Sequence, residues 1–406
     1  MPASTPATRS PHSYRPERKP RGKAPWWAKL FVVLGALMMV VSGGVLVGAK
    51  VFFSKVAEAI PQENLLGDAG IKGTTIDGPV NLLLVGMDQR ESQNDDSVRS
   101  DTIIMVHIPA SHDQAYLVSI PRDLRVKIPD YPKSGFKGWS TKINAAFQGG
   151  YRGPGTEIDK RKRGTELLAL TIRNTWGISF DGAAIIDFAG FEAVLKELGG
   201  VTICVDRPAE AIHLAKDKDG NIVSYMVWYD ESQGKVRGIP PGGSVYKYSV
   251  GCQHMTPELA LEYSRLRKGT CCPNGDYDRQ RHQQHLIKQI VKEATSKGML
   301  KDLGKLNRVM QAAGKAFVLD TRGVPIEDYL VTFKDIGDNM IQVKTNAGKV
   351  NPIEGGSDEA LTPASIEMMA AFKDKTLPTW LVSHMDFIGT DSDASGGASA
   401  SPSPGQ

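Results

Sequence analysis

Two acids and a set of arginines sit where apolar runs begin and end. Asp88 directly follows the run VNLLLVGM (80–87) within GMDQR, and Asp101 opens the next run within VRSD, thirteen positions along. Both can face one cavity across a polar loop. Two carboxylates with open water positions suit a hard divalent ion such as Mg²⁺ or Mn²⁺, which takes oxygen ligands and often bridges protein carboxylates to substrate phosphates; otherwise an Asp at a strand end caps a turn. Arg99 precedes Asp101 by two residues, Arg122 follows QAYLVSI (114–120) within SIPRD, Arg265 and Arg267 close YSRLR, and Arg279 and Gln283 follow in DYDRQRHQQ. Arginines at element ends beside acids are what a pyrophosphate site requires. They are fixed, planar donors that neutralise several oxygens and stabilise charge developing at phosphorus.

The elements that must position these residues are legible as short apolar runs at 80–87, 102–108, 114–120, 182–188 and 201–206. Their continuous apolar character predicts sheet covered on both faces, with helices near 164–176, 189–198, 256–264 and 278–297 as the cover. The expected fold is α/β: a three-layer α/β/α sandwich with a central mixed sheet. Ligands in such a sheet collect where strands deliver their carboxyl ends, which is where Asp88 and Arg122 fall. Thr256, Pro257 and Glu258 start one helix, by cap, first turn and dipole. That helix should end near Ser264, because Arg265 and Arg267 can share one side only of an extended segment. In the next helix Arg279, Gln283, Ile287 and Ile290 form one stripe, polar first and apolar beyond. Residues 207–250 are long, polar and Gly-rich, and read as a surface excursion.

From Leu30 to Ala49 run twenty residues without a charge, enough for a helix to cross a hydrocarbon core of about 30 Å. Six basic residues from Arg15 to Lys29 precede the run and Trp26 and Trp27 border it, which predicts a cytoplasmic N-terminus and an exported remainder; a cleaved signal peptide is the competing reading. The net charge of +4 comes from the segment before residue 30, so no broad basic surface for nucleic acid remains. The expected organisation is a basic cytoplasmic tail (1–29), a transmembrane helix (30–49), a stalk (50–78), a catalytic domain (79–297), a C-terminal extension packed on it (298–388) and a Ser/Gly/Ala/Pro-rich tail (389–406). Cys204 and Cys252 can pair in an exported protein; Cys271 and Cys272 can form a vicinal bridge, stay as thiols, or join His282 and His285 around zinc. There is no GxxxxGK[ST], HExxH or GxSxG motif. A transferase outside the cell needs a donor that carries its own energy, and a lipid pyrophosphate does.

NLLLVGMDQR, RSDTIIMVHI, LVSIPRD, KINAAFQGG, FAGFEAVLKELGGVTICVD, LALEYSRLR and GDYDRQRHQQ, in this order, resemble the successive motifs of the LytR-CpsA-Psr family over about residues 80–297. The resemblance implies an α/β/α domain with a hydrophobic tunnel for a polyprenyl chain and a pyrophosphate site at its mouth. It assigns the metal to Asp88 and Asp101, and pyrophosphate binding or catalysis to Arg99, Arg122, Arg265, Arg267, Arg279 and Gln283. The implied reaction moves a glycopolymer from its polyprenyl-pyrophosphate carrier to a peptidoglycan sugar hydroxyl at the outer surface of the cell membrane, the protein being a single-pass type II membrane protein. His282 stands where the family pattern often has Arg, and Asp88, Asp101 and Asp123 are the candidates for a general base. Two other readings use the same site: a surface regulator that binds polyprenyl pyrophosphates without turnover, and a hydrolase that replaces the sugar hydroxyl with water.

Overall fold

The apolar run Val80–Met87 forms β1, near the middle of a sheet whose neighbours are β2 (Ser100–Ile108) and, further along the chain, β6. In a computed structural model, residues 61–71, 76–87, 98–225, 227–296, 298–299, 302–333 and 336–389 are described. After β3 (Ala115–Ser119) come the hairpin β4 (Arg125–Lys127) and β5 (Ser140–Lys142), α1 (Asn144–Tyr151), α2 (Glu157–Trp176), β6 (Gly182–Asp187) and α3 (Phe188–Leu198). The middle of the chain holds β7 (Val201–Val205), β8 (Ala209–Lys216), β9 (Ile222–Ser224), β10 (Trp228–Asp230), β11 (Lys235–Arg237), β12 (Ser244–Tyr248) and β13 (Gly251–Met255). Then follow α4 (Pro257–Arg265), α5 (Asp276–Ala294), α6 (Leu303–Ala316), β14 (Phe317–Asp320), α7 (Ile326–Thr332), β15 (Met340–Val343), α8 (Pro363–Lys373), α9 (Leu377–Val382) and β16 (Ile388–Gly389).

The central sheet has seven strands in the order β14-β6-β1-β2-β3-β15-β16. It is mixed: β1 runs parallel to β6 and β3 parallel to β15, while β1–β2, β2–β3, β6–β14 and β15–β16 are antiparallel. Leu83, Val85 and Met87 of β1 point into the larger core with Phe147, Leu167 and Phe372 from α1, α2 and α8. Leu82 and Leu84 point the other way, toward Ile287 and Val291 of α5. Helices therefore cover both faces, which is why the strands read as continuous apolar runs rather than alternating ones.

Five expectations need correction or refinement. The stalk (50–78) does not extend through 61–71, because Leu65 and Leu66 are fully buried in the core and the Leu66 N–H donates to Asp320 Oδ2 at 2.9 Å. The run 201–206 is a strand but lies outside the central sheet; β7 pairs with β13, with Cys204 directly opposite Cys252 and bonded to it. The excursion 207–250 is an ordered β layer, with β12-β8-β9 in one sheet, β10-β11 in another, and Ala215, Val227 and Val236 as its own small core. The segment 298–388 does more than pack on the domain, since β14, β15 and β16 complete the sheet. The helix expected at 164–176 begins earlier, at Glu157, where Thr156 and Asp159 form a capping box. The proposed span 30–49 lies outside the described residues, among which no helix is long and apolar enough to cross a membrane.

Candidate functional site

The end of β3, the start of β2 and the first turn of α5 meet at one edge of the sheet. Pro121 and Arg122 follow β3 closely, and Arg122 Nη1 donates to Asp101 Oδ1 at 2.8 Å. Its Nε lies 3.5 Å from Asp276 Oδ1 and 3.7 Å from Asp123 Oδ2. Asp276 Oδ1 also pairs with Arg279 Nη2 at 2.5 Å, and the same Arg279 nitrogen donates to the Asp101 carbonyl at 2.9 Å. Asp101 and Asp276 thus each hold both arginines, and sequence-distant elements are fixed by a compact charge cluster. Asp123 in turn accepts from Lys142 Nζ at 2.7 Å.

The cluster is unevenly satisfied. Burial works against the Arg122 guanidinium, but Asp276, Asp101 and Asp123 hold its pKa above the ordinary value. Arg279 goes the other way: burial and the nearby charges of Arg122 and Arg267 press its pKa down, with Asp276 and Asp101 only partly compensating. The buried Nε atoms of Arg122 and Arg279 have no hydrogen-bond acceptor among the described residues. A buried guanidinium N–H without an acceptor is costly, and oxygens of an anion are the acceptors that suit it.

Behind the cluster lies an apolar cavity of about 230 Å³ between the sheet and α3, α4 and α5. Leu84, Ile104, Ile186, Phe191, Ile287 and Ile290 line its body, and Thr102 and Gln283 mark its polar end. Thr102 Oγ1 donates to Gln283 Oε1 at 3.0 Å. Gly86 keeps this end narrow but open, since a Cβ there would stand 2.8 Å from the Thr102 Cβ. The stripe expected from Gln283 through Ile290 is the one that faces the cavity.

Arg122, Arg279, Gln283 and Asp101 come together as expected. Arg265 is the last residue of α4, one residue beyond the expected end, and is half-buried; Leu266 turns into the core and Arg267 is exposed, within electrostatic reach of Arg279. Arg99 is exposed, and Asp88 lies outside the described residues. Asp276 was missed by sequence reasoning, although its signal was present: it stands three residues before Arg279 in the first turn of a helix, the spacing of an intrahelical ion pair. Also missed was the support behind it. The Tyr277 hydroxyl donates to Glu359 Oε2 at 2.7 Å and accepts from Asn346 Nδ2 at 3.0 Å, tying the first turn of α5 to the C-terminal part of the chain.

His282 takes no cationic role in place of an Arg. It is buried, its ring lies 4.3 Å from that of Tyr263, and burial together with Arg281 and His285 drives its pKa well below the ordinary imidazole value. Cys271 and Cys272 are bonded to each other, which removes them as zinc thiolates, and no cluster of metal-binding side chains with three or more members occurs among the described residues.

A mixed sheet with helices on both faces, an arginine-carboxylate cluster at one end of its strands and an apolar cavity beside that cluster define the class of protein. Residues 53–371 match the LytR_cpsA_psr family, and the chain belongs to that family. It is 24% identical over 288 residues to the polyisoprenyl-teichoic acid–peptidoglycan teichoic acid transferase TagU of Bacillus anthracis, covering 70% of this chain and 76% of that protein. It is 25% identical over 339 residues to the cell wall biosynthesis protein LcpA of Corynebacterium glutamicum, covering 77% of this chain and 59% of that protein. Protein gbs0355 from Streptococcus agalactiae shares the fold, with a TM-score of 0.52 and 22% identity over 74% of this chain and 88% of that one.

Proposed function

We propose that the chain is a phosphotransferase that moves a glycopolymer from a polyprenyl-pyrophosphate carrier to a sugar hydroxyl of peptidoglycan. The acceptor oxygen forms a bond to the phosphorus next to the glycopolymer, the phosphoanhydride bond breaks, polyprenyl phosphate leaves and the hydroxyl proton is released. The observation that carries this reading is the pair of guanidinium groups of Arg122 and Arg279, each with a buried Nε that has no hydrogen-bond acceptor among the described residues, beside an apolar cavity whose polar end is formed by their neighbours Thr102 and Gln283. The cavity suits the prenyl chain, and the arginines suit the pyrophosphate, whose charge grows on the leaving group as the bond breaks. The names of the TagU and LcpA relatives fit the same chemistry.

Asp101 fits a hard divalent ion: Arg122 holds one carboxylate oxygen, and the other accepts no hydrogen bond among the described residues. Mg²⁺ or Mn²⁺ would be held there with Asp88 and would neutralise charge on the pyrophosphate. Arg99, Arg265 and Arg267 complete the set of cations we assign to the substrate. The charge-free run 30–49 and the basic residues before it support a single-pass type II anchor with the catalytic part outside the cell.

The test is to incubate the full chain in detergent with a synthetic polyprenyl-pyrophosphate glycan, Mg²⁺ and peptidoglycan oligomers, and to weigh the products by mass spectrometry. A phosphodiester-linked conjugate plus polyprenyl phosphate is expected, lost on chelation and in Arg122→Ala and Asp101→Ala. Release of phosphorylated glycan alone would instead identify a hydrolase, and lipid binding without turnover a regulator.

A further inference from the structure

Across α5 from the apolar cavity lies a second cavity of about 400 Å³ with mainly polar walls. At 3.6 residues per turn, Gln283, Ile287 and Ile290 share one side of the helix, and Asp278, Arg281 and Gln284 share roughly the opposite one. The acids of this second cavity are already matched. Arg281 lies 2.7 Å from Asp206 and 3.5 Å from Asp278, and Asp278 also accepts from the Asn274 backbone N–H at 2.7 Å. Arg207, Lys344 and Lys349 line the same space, and their side chains have no acidic or hydrogen-bonding partner among the described residues. Four cations against two carboxylates leave two positive charges unanswered.

The backbone that carries the two lysines forms an unusual turn. Asn346 and Ala347 adopt left-handed backbone at φ 53° and 51°, followed by Gly348 at φ 79°, so Lys349 directly follows three successive left-handed residues and Lys344 precedes them by one residue, Thr345. That conformation is unfavourable for Ala347 and persists because its surroundings over-determine it. The Asn346 side chain donates to the Tyr277 hydroxyl and the Ala360 carbonyl and accepts from the Thr362 N–H. Tyr277 forms part of the cavity wall and is the neighbour of Asp276. The cavity and the cluster that would hold the reacting phosphorus therefore share the first turn of α5.

The direction of attack indicates which anion belongs there. In a displacement at phosphorus, nucleophile and leaving group stand roughly in line. β15 runs beside β3 and parallel to it, so Lys344 emerges at the same sheet edge as Arg122, and an acceptor seated in the polar cavity would reach the cluster from the side of α5 opposite the apolar cavity, toward which the polyprenyl phosphate would leave. Peptidoglycan carries free carboxylates on its peptide stems, within a few bonds of its sugar hydroxyls. We propose that this cavity is an acceptor subsite in which Arg207, Lys344 and Lys349 bind a stem-peptide carboxylate, an assignment that rests on the transfer reading above.

The experiment measures equilibrium binding of a soluble disaccharide-peptide, with its stem carboxylates free or amidated, to the full-length wild type and to Lys344→Ala/Lys349→Ala. Either change should weaken binding roughly tenfold, the scale of two solvent-open charge-assisted contacts, and the two together should add little. In turnover the double variant should show the same rise in KM for the acceptor, with KM for the lipid donor unmoved. Equal binding of both ligands by both proteins overturns the subsite. So does loss in the double variant of affinity for a lipid-free phosphorylated glycan with the disaccharide-peptide unaffected, since the cavity would then read the donor polymer. A wild type that binds the acceptor with this carboxylate dependence but only hydrolyses donor would remove the transfer reading and leave the carboxylate site standing.

Discussion

Asp276 holds two guanidinium groups at once, at 2.5 Å from Arg279 and 3.5 Å from Arg122, and it does so from the first turn of α5, where a negative charge is favourable. It touches no reacting atom in the proposed reaction; its work is to fix the planes of two donors. Asp276→Ala should therefore lower the rate of conjugate formation by about 10- to 100-fold, the cost of misplacing a transition-state donor by about an ångström. Single-turnover rates with saturating donor will measure this, and a rate within twofold of wild type would remove Asp276 from the positioning role. Asp276→Asn, which keeps the shape but not the charge, should fall between the two.

At the scale of elements, α5 organises the molecule. One side closes the apolar cavity, its first turn carries the charge cluster, and the opposite side walls the polar cavity. The β layer of residues 209–248 is fastened to the neighbouring α4. Glu262 accepts from the backbone N–H groups of Ile212 and His213 at 2.7 and 3.0 Å, and from His213 Nδ1 at 2.8 Å. Burial alone would raise the Glu262 carboxyl, but these hydrogen bonds outweigh it and hold the pKa below the ordinary range. Ala184 of β6 faces the apolar cavity, so Ala184→Phe should occupy part of it without disturbing the charge cluster. Displacing about two methylene groups of lipid costs about 1.6 kcal/mol, so KM for a long prenyl donor should rise roughly tenfold. A donor with a prenyl chain too short to enter should be spared; equal effects on both donors would show that the chain lies elsewhere.

For the whole molecule, two buried histidines set a limit on acid stability. Burial, with a smaller contribution from Lys375, lowers the His107 pKa from 6.5 to about 4, and His282 is driven down in the same direction. In each case the unfolded chain binds the proton before the folded one does, so stability is fully present above about pH 6.5 and falls as pH drops toward 4. The His107 contribution over that window is at most about 3 kcal/mol. Urea unfolding at a series of pH values should show the decline, and His107→Gln, which keeps a donor for Asn81 Oδ1, should flatten it. A slope unchanged in that variant would assign the acid sensitivity to other groups.

Much of this architecture follows from local rules that one chain segment can obey alone. The strands at 80–87 and 182–188, the Thr256-Pro257 helix start and the Gln283-to-Ile290 stripe depend on apolar period, capping and dipole, all of which are written within a few residues. The gathering of Asp101, Arg122 and Arg279 was legible because each lies at the end of an element bound for the same sheet edge. What the sequence could not decide is which distant residues meet. Pairing of β14 with β6 and β15 with β3, burial of Leu65 and Leu66, and the Glu359–Tyr277–Asn346 links join positions 69 to 254 residues apart. The same holds for the polar cavity, whose lysines and acids come from segments with no common period or motif. Only folding brings such groups within hydrogen-bond range, because side-chain contacts act over a few ångströms and carry no record of their partner along the chain.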